Sequence, residues 1–114
     1  SSNIIPFSKL IKFCNLYDYS LDFVMGLTRR NNRNNAKIKT NKNLIGKKLK
    51  DLRNNFNLSQ EKFANKCGLS QTTYSHYETG FNLITTTNAY LICRTYNVSM
   101  DWLVGRINNF KINN

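Results

Sequence analysis

Apolar residues recur along the second half of the chain with the spacing of amphipathic helices. The first run advances by four, three and four residues, which places its members on one helical face over about 45–56: Ile45, Leu49, Leu52 and Phe56. Two short helices follow over about 60–67 and 71–78, each preceded by a serine that can cap it and closely followed by a glycine. A fourth run outlines a helix that ends near Tyr96, and Ser99 can cap a final helix that stops at Gly105. Because no segment alternates strictly between apolar and polar residues, the pattern predicts an all-α domain of five helices.

The same pattern divides the chain into four parts. Residues 44–105 have the texture of a compact domain, and residues 1–27 form an apolar-rich segment before it. Residues 28–43 (TRRNNRNNAKIKTNKN) contain six basic residues, six asparagines and one isoleucine, so they cannot bury enough apolar surface to fold alone. Residues 106–114 are predicted to be a polar C-terminal tail.

Length and charge limit the classes of protein that the chain can belong to. Its 114 residues suffice for one ordinary domain, or for a small domain with an appendage. Seventeen Lys and Arg against six Asp and Glu give a net charge of +11, which favours a polyanionic partner, either nucleic acid or an anionic membrane surface. The membrane surface is the weaker alternative, because the basic residues gather in an Asn-rich arm and not on an amphipathic helix.

Cysteine and histidine usage excludes several kinds of site. Cys14, Cys67 and Cys93 are odd in number and far apart, so neither a disulfide framework nor a zinc site follows from their spacing, and a reducing compartment fits best. His76 is the single histidine. No acid/base pair, activated nucleophile or Gly-rich phosphate loop is found, so we expect no enzyme, no metal and no cofactor. Without a signal peptide or a long apolar run, we expect a soluble cytoplasmic protein with no membrane segment.

One segment carries most of the functional information, residues 60–78 (QEKFANKCGLSQTTYSHYE). Two short helices joined by a tight turn need a small residue on the first helix, a glycine at the turn and apolar residues beneath both. Ala64, Gly68 and the apolar residues Phe63, Leu69 and Tyr74 meet these needs. Together with IGKKLKDLR before it and YNVSMDWLVG after it, the segment resembles the Cro/repressor-type helix-turn-helix family, which includes lambda repressor. The resemblance covers residues 45–105.

The resemblance implies a lambda repressor-like fold whose second motif helix, over about 71–78, enters the major groove of DNA. It assigns base reading to Gln71, Thr72 and Ser75, and the glutamine amide suits adenine chemically. Phosphate contacts are expected from these residues: Gln60, Thr73, His76, Lys47 and Lys48. By the same resemblance Gln60 can also brace Gln71, while Glu78 is expected to make an internal hydrogen bond or ion pair.

The sequence departs from the family near the end of this helix. Where many relatives have Arg or Lys, this chain has His76, Phe81 and Asn82, which predicts fewer phosphate contacts and a modest intrinsic affinity. Thr86 also stands at a position that is usually apolar. The basic arm, residues 28–43, is either a solvated linker, which we favour, or a segment that enters a DNA groove.

The first part of the chain resembles helices four and five of the same family, as a partial second copy. Aligning Ser20 with Ser99 also pairs these residues: Cys14 with Cys93, Tyr17 with Tyr96, Asp22 with Asp101, Phe23 with Trp102 and Gly26 with Gly105. The chain is then the trailing part of a tandem pair, or further residues precede it. We expect the two orphan helices to pack either against another chain or against residues 44–105, and Asp22 and Asp101 to act as capping-turn residues.

The function predicted from the sequence is sequence-specific binding of double-stranded DNA by a repressor-like transcriptional regulator. The resemblance implies a homodimer, or paired tandem domains, on half-sites about one helical turn apart. The alternative is a protein-interaction module, such as an antitoxin-like protein whose apolar segment, residues 6–25, covers a partner. The two differ in which segment carries the function, residues 60–78 or residues 6–25.

Overall fold

The computed structural model describes residues 5–112, and within them the chain forms helices and no strand, only an isolated bridge between Val98 and Lys111. The helices are α1 (Phe7–Tyr17), α2 (Leu21–Val24), α3 (Lys42–Asn55), α4 (Gln60–Lys66), α5 (Gln71–Glu78), α6 (Thr86–Tyr96) and α7 (Met100–Leu103). The prediction of an all-α fold with five helices in residues 44–105, preceded by two more, is confirmed. None of these helices has the length and apolar character needed to cross a membrane.

The helices belong to two compact units. Residues 41–84 hold α3, α4 and α5, whereas residues 1–40 and 85–114 together hold α1, α2, α6 and α7. Residues 1–4 and 113–114, which end the predicted first and last parts of the chain, lie outside the described residues.

In the unit of residues 41–84, α3 packs against α5 through a stripe of buried residues. Ile45, Leu49 and Leu52 are almost fully buried, as the apolar spacing predicts, and Gly46 lies among them. A Cβ atom at Gly46 would come within 2.5 Å of the Glu78 carbonyl oxygen, so glycine allows the two helix backbones to touch. Helix α3 begins three residues before the predicted start, because the Asn41 side chain accepts hydrogen bonds from the backbone N–H groups of residues 43 and 44.

The other unit contains two helix pairs of matching length, α1 with α2 and α6 with α7. The first helix of each pair has 11 residues and the second has four. Each first helix ends at a residue in the left-handed conformation, Asp18 (φ 58°) or Asn97 (φ 56°). Each second helix begins at a serine whose hydroxyl oxygen accepts a backbone N–H bond three residues on, Ser20 or Ser99.

Of the two orphan helices, α2 packs within its own unit against α7, and α1 packs against α2. Backbone N–H groups at the start of α2 donate to the Asp101 carboxylate, and the backbone N–H of Met100 donates to the Asp22 carboxylate. The sequence predicted that these helices pack either against another chain or against residues 44–105. The structure shows the second of these contacts. Thr86, noted as a departure from the family, is buried and its hydroxyl donates to the Ile5 carbonyl over 2.6 Å. All three cysteines are buried, and none of them forms a disulfide.

Candidate nucleic-acid interface

The turn between α4 and α5 has the compact geometry that the sequence predicts. Gly68 adopts a φ of 76°, a conformation in which a side chain is strained, and the Leu69 N–H donates to the Ala64 carbonyl over 2.9 Å. Beneath the turn, the rings of Phe63 and Tyr74 lie 4.8 Å apart and both residues are fully buried. The turn therefore holds α5 at a fixed angle to α4.

Helix α5 has a buried face and a polar face. Tyr74 and Tyr77 are buried, which confirms the prediction that they point into the core. Gln71 and Thr72 are exposed and Ser75 is half-buried. Because successive residues turn by about 100° around a helix axis, these three lie within one third of the circumference, away from the two tyrosines. The structure thus brings the predicted base-reading residues together on one accessible face.

Two further predicted contact residues flank this face. Ser70 caps α5 by accepting the Thr73 backbone N–H over 3.1 Å, and its hydroxyl also donates to the Thr73 hydroxyl over 2.9 Å. The His76 ring lies half-buried beside the exposed ring of Phe81, with the ring centroids 5.0 Å apart. The Thr73 hydroxyl is therefore oriented by the cap, whereas His76 is held by an aromatic neighbour.

A single carboxylate, that of Glu78, ties all three helices of the unit together. Arg53 near the end of α3 donates to both of its oxygens, over 2.9 Å from Nε and 2.8 Å from Nη2. Gln60 at the start of α4 donates to the same carboxylate over 3.3 Å. The expectation of an internal ion pair at Glu78 is confirmed, and its side chain is 5% exposed. This bidentate pair fixes the C-terminal end of α5 relative to α3 and α4.

The ionisation of this cluster follows from its hydrogen bonds. Burial alone would raise the pKa of Glu78, but hydrogen bonds from Arg53, Tyr74 and Gln60 outweigh burial, so the pKa lies below its usual value of 4.5. The hydrogen bond to Glu78 raises the pKa of Arg53 in turn. Burial raises the pKa of the Tyr74 phenol, which therefore stays protonated. The cluster is an ion pair at neutral pH.

The structure places the other predicted phosphate contacts on separate helices. The Gln60 amide has one N–H engaged with Glu78, which leaves its second N–H available for a phosphate oxygen. Lys47 is exposed on the side of α3 away from the buried stripe. Lys48 is half-buried, and burial lowers the pKa of its ammonium group.

One basic residue beside α5 was missed by sequence reasoning, Lys42. Its ammonium group lies 3.4 Å from the carbonyl oxygen of Phe81, in the loop that follows α5. The sequence placed Lys42 in the basic arm, although Asn41 before it is a typical cap residue and could have indicated that the helix starts there. Lys42 supplies a positive charge at the end of α5 where His76 and Phe81 replace the family's basic residues. The unit of residues 41–84 carries seven Lys or Arg and three Asp or Glu, a net charge of +4.

Comparison with known proteins agrees with this geometry. Residues 49–103 match the family model described as helix-turn-helix. The chain is 39% identical over 62 residues to the antitoxin PezA of Streptococcus pneumoniae serotype 4, a match that covers 54% of this chain and 39% of that relative. No solved structure matches the chain. The helix pattern, the glycine turn and the family match together show that residues 49–103 form a helix-turn-helix of the Cro/repressor type.

Proposed function

We propose that the chain is a transcriptional regulator of the repressor type that binds double-stranded DNA sequence-specifically, with α5 in the major groove. The observation that carries the proposal is the polar face of α5, on which Gln71 and Thr72 lie at the N-terminal end of the helix and Ser75 follows one turn later. The N-terminal residues of a recognition helix are those that reach base edges. The Gln71 amide can pair with adenine through both N6 and N7.

The contacts that hold both ends of α5 in place favour the same function. A reading helix gains specificity when its side chains are held in place before binding, because less conformational entropy is then lost. The Ser70 cap fixes one end of α5 and the bidentate Arg53–Glu78 pair fixes the other. Gln60, Thr73 and His76 flank the reading face, and Lys42, Lys47 and Lys48 supply charge for phosphate oxygens.

The experiment that tests this proposal is a fluorescence anisotropy titration of the full chain. A duplex enriched from a random pool is compared with a random duplex at two salt concentrations. We expect a preference of about 10³ or more that survives the higher salt. Binding without preference that collapses at higher salt would mean that the positive charge alone attracts DNA.

Substitution of Gln71 then tests the reading face itself. We expect Gln71→Ala to weaken binding to the selected duplex by about 1–3 kcal/mol and to relax the preference at one base position. The matched control is Asn54→Ala, an exposed amide on α3, which should leave both affinities unchanged. An equal loss on selected and random DNA would remove Gln71 as a base reader.

A second candidate function, an antitoxin-like protein-interaction module, is favoured by one separate observation. Helices α1 and α2 expose large apolar side chains, with Leu16 71% and Tyr17 56% exposed. The relative with 39% identity is named an antitoxin. Under this alternative, residues 6–25 would bind a protein partner through that exposed face.

Co-purification distinguishes this alternative from a role limited to DNA. A stoichiometric second protein that is retained by the native chain and lost with Leu16→Glu would support it. Lys12→Glu, an exposed change on the same helix, serves as the control that should retain the partner. If no second protein is retained by the native chain, residues 6–25 have no such role.

A further inference from the structure

Helix pairs α1–α2 and α6–α7 match in backbone detail beyond their lengths. The second residue after the first helix donates back into it in both pairs, from Tyr19 to the Cys14 carbonyl over 3.1 Å and from Val98 to the Cys93 carbonyl over 2.9 Å. After the second helix, Leu27 donates to the Asp22 carbonyl, and Arg106 does the same to the Asp101 carbonyl, over 2.7 and 2.8 Å. The glycine between them has a positive φ in each pair.

The two pairs bind each other reciprocally. Asp101 accepts the backbone N–H groups of Leu21 and Asp22, over 2.9 and 3.0 Å. Asp22 accepts the backbone N–H of Met100 over 2.6 Å and the hydroxyl of Ser99 over 2.5 Å. The Asp101 carboxylate therefore satisfies two free N–H groups at the start of α2, and the Asp22 carboxylate satisfies one at the start of α7. When residue i contacts residue j and the equivalent of j contacts the equivalent of i, the contact has the form of a two-fold interface between identical surfaces.

The reciprocity is incomplete. Asp101 accepts two backbone N–H groups, whereas Asp22 accepts one backbone N–H and the Ser99 hydroxyl. A second difference lies at Arg106. Arg106 is buried and its Nη1 lies 2.5 Å from Asp101, while its other nitrogens donate to backbone carbonyls. The equivalent residue in the first pair is Leu27, so the contact contains two buried carboxylates and one guanidinium. A contact between two copies of α6–α7 would instead contain two carboxylates and two guanidinium groups.

From these observations we propose that α1–α2 is an internal substitute for a second copy of α6–α7. The chain forms within itself the two-fold contact that two copies of α6–α7 would otherwise form between chains, and its α6–α7 surface is closed to homodimerisation. Covalent linkage favours the contact within the chain over a contact between chains, because a tethered segment has a high effective concentration and competes well against a second chain. The proposal does not depend on DNA binding, since none of its tests includes DNA.

The first test measures the oligomeric state of the full chain by sedimentation velocity. The native chain should sediment as a monomer. Asp22→Arg removes the acceptor for Met100 and Ser99 and places a cation at a buried position, so α1–α2 should detach and the released α6–α7 surface should pair with that of a second chain, giving a dimer. Asp51→Arg, the same change in charge at an exposed position of α3, should remain a monomer.

Adding Asp101→Arg to Asp22→Arg should abolish the dimer, because the released surface then lacks its own capping carboxylate. The proposal is overturned by a native chain that is already a dimer. It is also overturned by an Asp22→Arg variant that is folded but monomeric, or by a dimer that persists in the double variant. Circular dichroism identifies the folded variants.

The second test applies if Asp22→Arg does not fold. If the two pairs are equivalent, Leu27→Arg should place a guanidinium beside Asp22 as Arg106 is placed beside Asp101. We expect a melting temperature several degrees above that of Leu27→Gln, measured at a pH above the Asp22 pKa of about 7, where that carboxyl is ionised. A Leu27→Arg variant no more stable than Leu27→Gln would overturn the equivalence on which the proposal rests.

Discussion

Glu78 joins the three helices of the unit of residues 41–84 through its carboxylate. Glu78→Gln replaces a buried anion with a neutral amide and weakens two hydrogen bonds from Arg53, so we expect a loss of about 1.5–3 kcal/mol in the free energy of unfolding. Urea denaturation of the native chain and of Glu78→Gln measures this loss. Glu61→Gln, an exposed glutamate on α4, should change stability by less than about 0.5 kcal/mol.

The same carboxylate predicts a pH dependence. Since the pKa of Glu78 is lowered in the folded protein, its contribution to stability is present above its unfolded value near 4.5 and is lost as the pH falls through the folded value. Native stability should therefore fall more steeply in acid than the stability of Glu78→Gln. Parallel pH profiles of the two proteins would contradict this assignment.

The raised pKa of Asp22 predicts that stability falls as the pH rises toward neutral, which is opposite to the effect of Glu78. Burial and the neighbouring Asp101 raise the pKa of Asp22 to about 7, against opposing hydrogen bonds from Ser99 and the Met100 backbone. The cation of this unit's buried cluster, Arg106, pairs with Asp101, and the buried Cys14 thiol stays neutral because burial raises its pKa to about 11. A group with a raised folded pKa stabilises most below its unfolded value, and this stability is lost as the pH rises through about 7.

Asp22→Asn mimics the protonated carboxyl and should remove this loss. Melting temperatures measured from mildly acidic to mildly alkaline pH should decline for the native chain and remain level for the variant. Asp18→Asn, at an exposed carboxylate of the same unit, is the control and should follow the native curve. A native profile as level as that of Asp22→Asn would show that Asp22 is ionised throughout the range.

At the scale of helices, the contact between α3 and α5 depends on a glycine. Gly→Ala within a helix normally stabilises a protein, by about 0.5–1 kcal/mol. At Gly46 the added methyl group would meet the carbonyl oxygens of Tyr77 and Glu78 at 2.7 and 2.5 Å, and backbone atoms cannot turn aside as a side chain can. We therefore expect Gly46→Ala to destabilise the chain by about 1–3 kcal/mol.

The sign of the Gly46→Ala effect decides this prediction. Thermal unfolding followed by circular dichroism measures it, and Asn54→Ala in the exposed part of the same helix is the control that should change stability little. A Gly46→Ala variant as stable as the native chain would mean that α3 and α5 can move apart to admit the methyl group without a loss of stability.

Helices were predictable here where their ends are marked by local chemistry. Helix α5 was predicted at its observed bounds, because Ser70 caps it and Gly80 follows it closely. The start of α3 was missed because Asn41 belongs to a segment with six asparagines, and its polar composition led us to place that segment before the first apolar residue of the stripe. The buried face of α5 was likewise predictable from the helical spacing of Tyr74 and Tyr77, whereas the Lys42 contact with the loop after α5 depends on tertiary packing.

At the scale of the whole molecule, the least predictable feature was the role of Arg106. The sequence assigned it to a polar tail, yet it is 3% exposed and pairs with Asp101. Its burial depends on two carboxylates that α2 and α7 bring together from distant parts of the chain. An alignment of Ser20 with Ser99 indicated that the two segments are alike but could not show that they bind each other.

The charge of the basic arm, residues 28–43, can contribute to DNA binding only if the arm is free to reach the DNA. The Asn31 side chain accepts the Ser20 N–H over 2.8 Å, the Ala36 N–H donates to the Arg106 carbonyl over 3.0 Å, and the Asn15 amide donates to the Ile38 carbonyl over 2.8 Å. Because these contacts fix the arm along the unit of residues 1–40 and 85–114, we expect residues 28–40 to act as a linker that does not enter a DNA groove.

Salt dependence of DNA binding separates these two roles. Each phosphate contact changes the slope of log K against log salt by about 0.9. Replacing the exposed arm residues Arg30, Arg33 and Lys39 together by glutamine should leave the slope unchanged, whereas Lys42→Gln alone should make it shallower by one contact. A triple variant whose slope falls by two or three contacts would place the arm on DNA, because its charges would then release counterions as fixed phosphate contacts do.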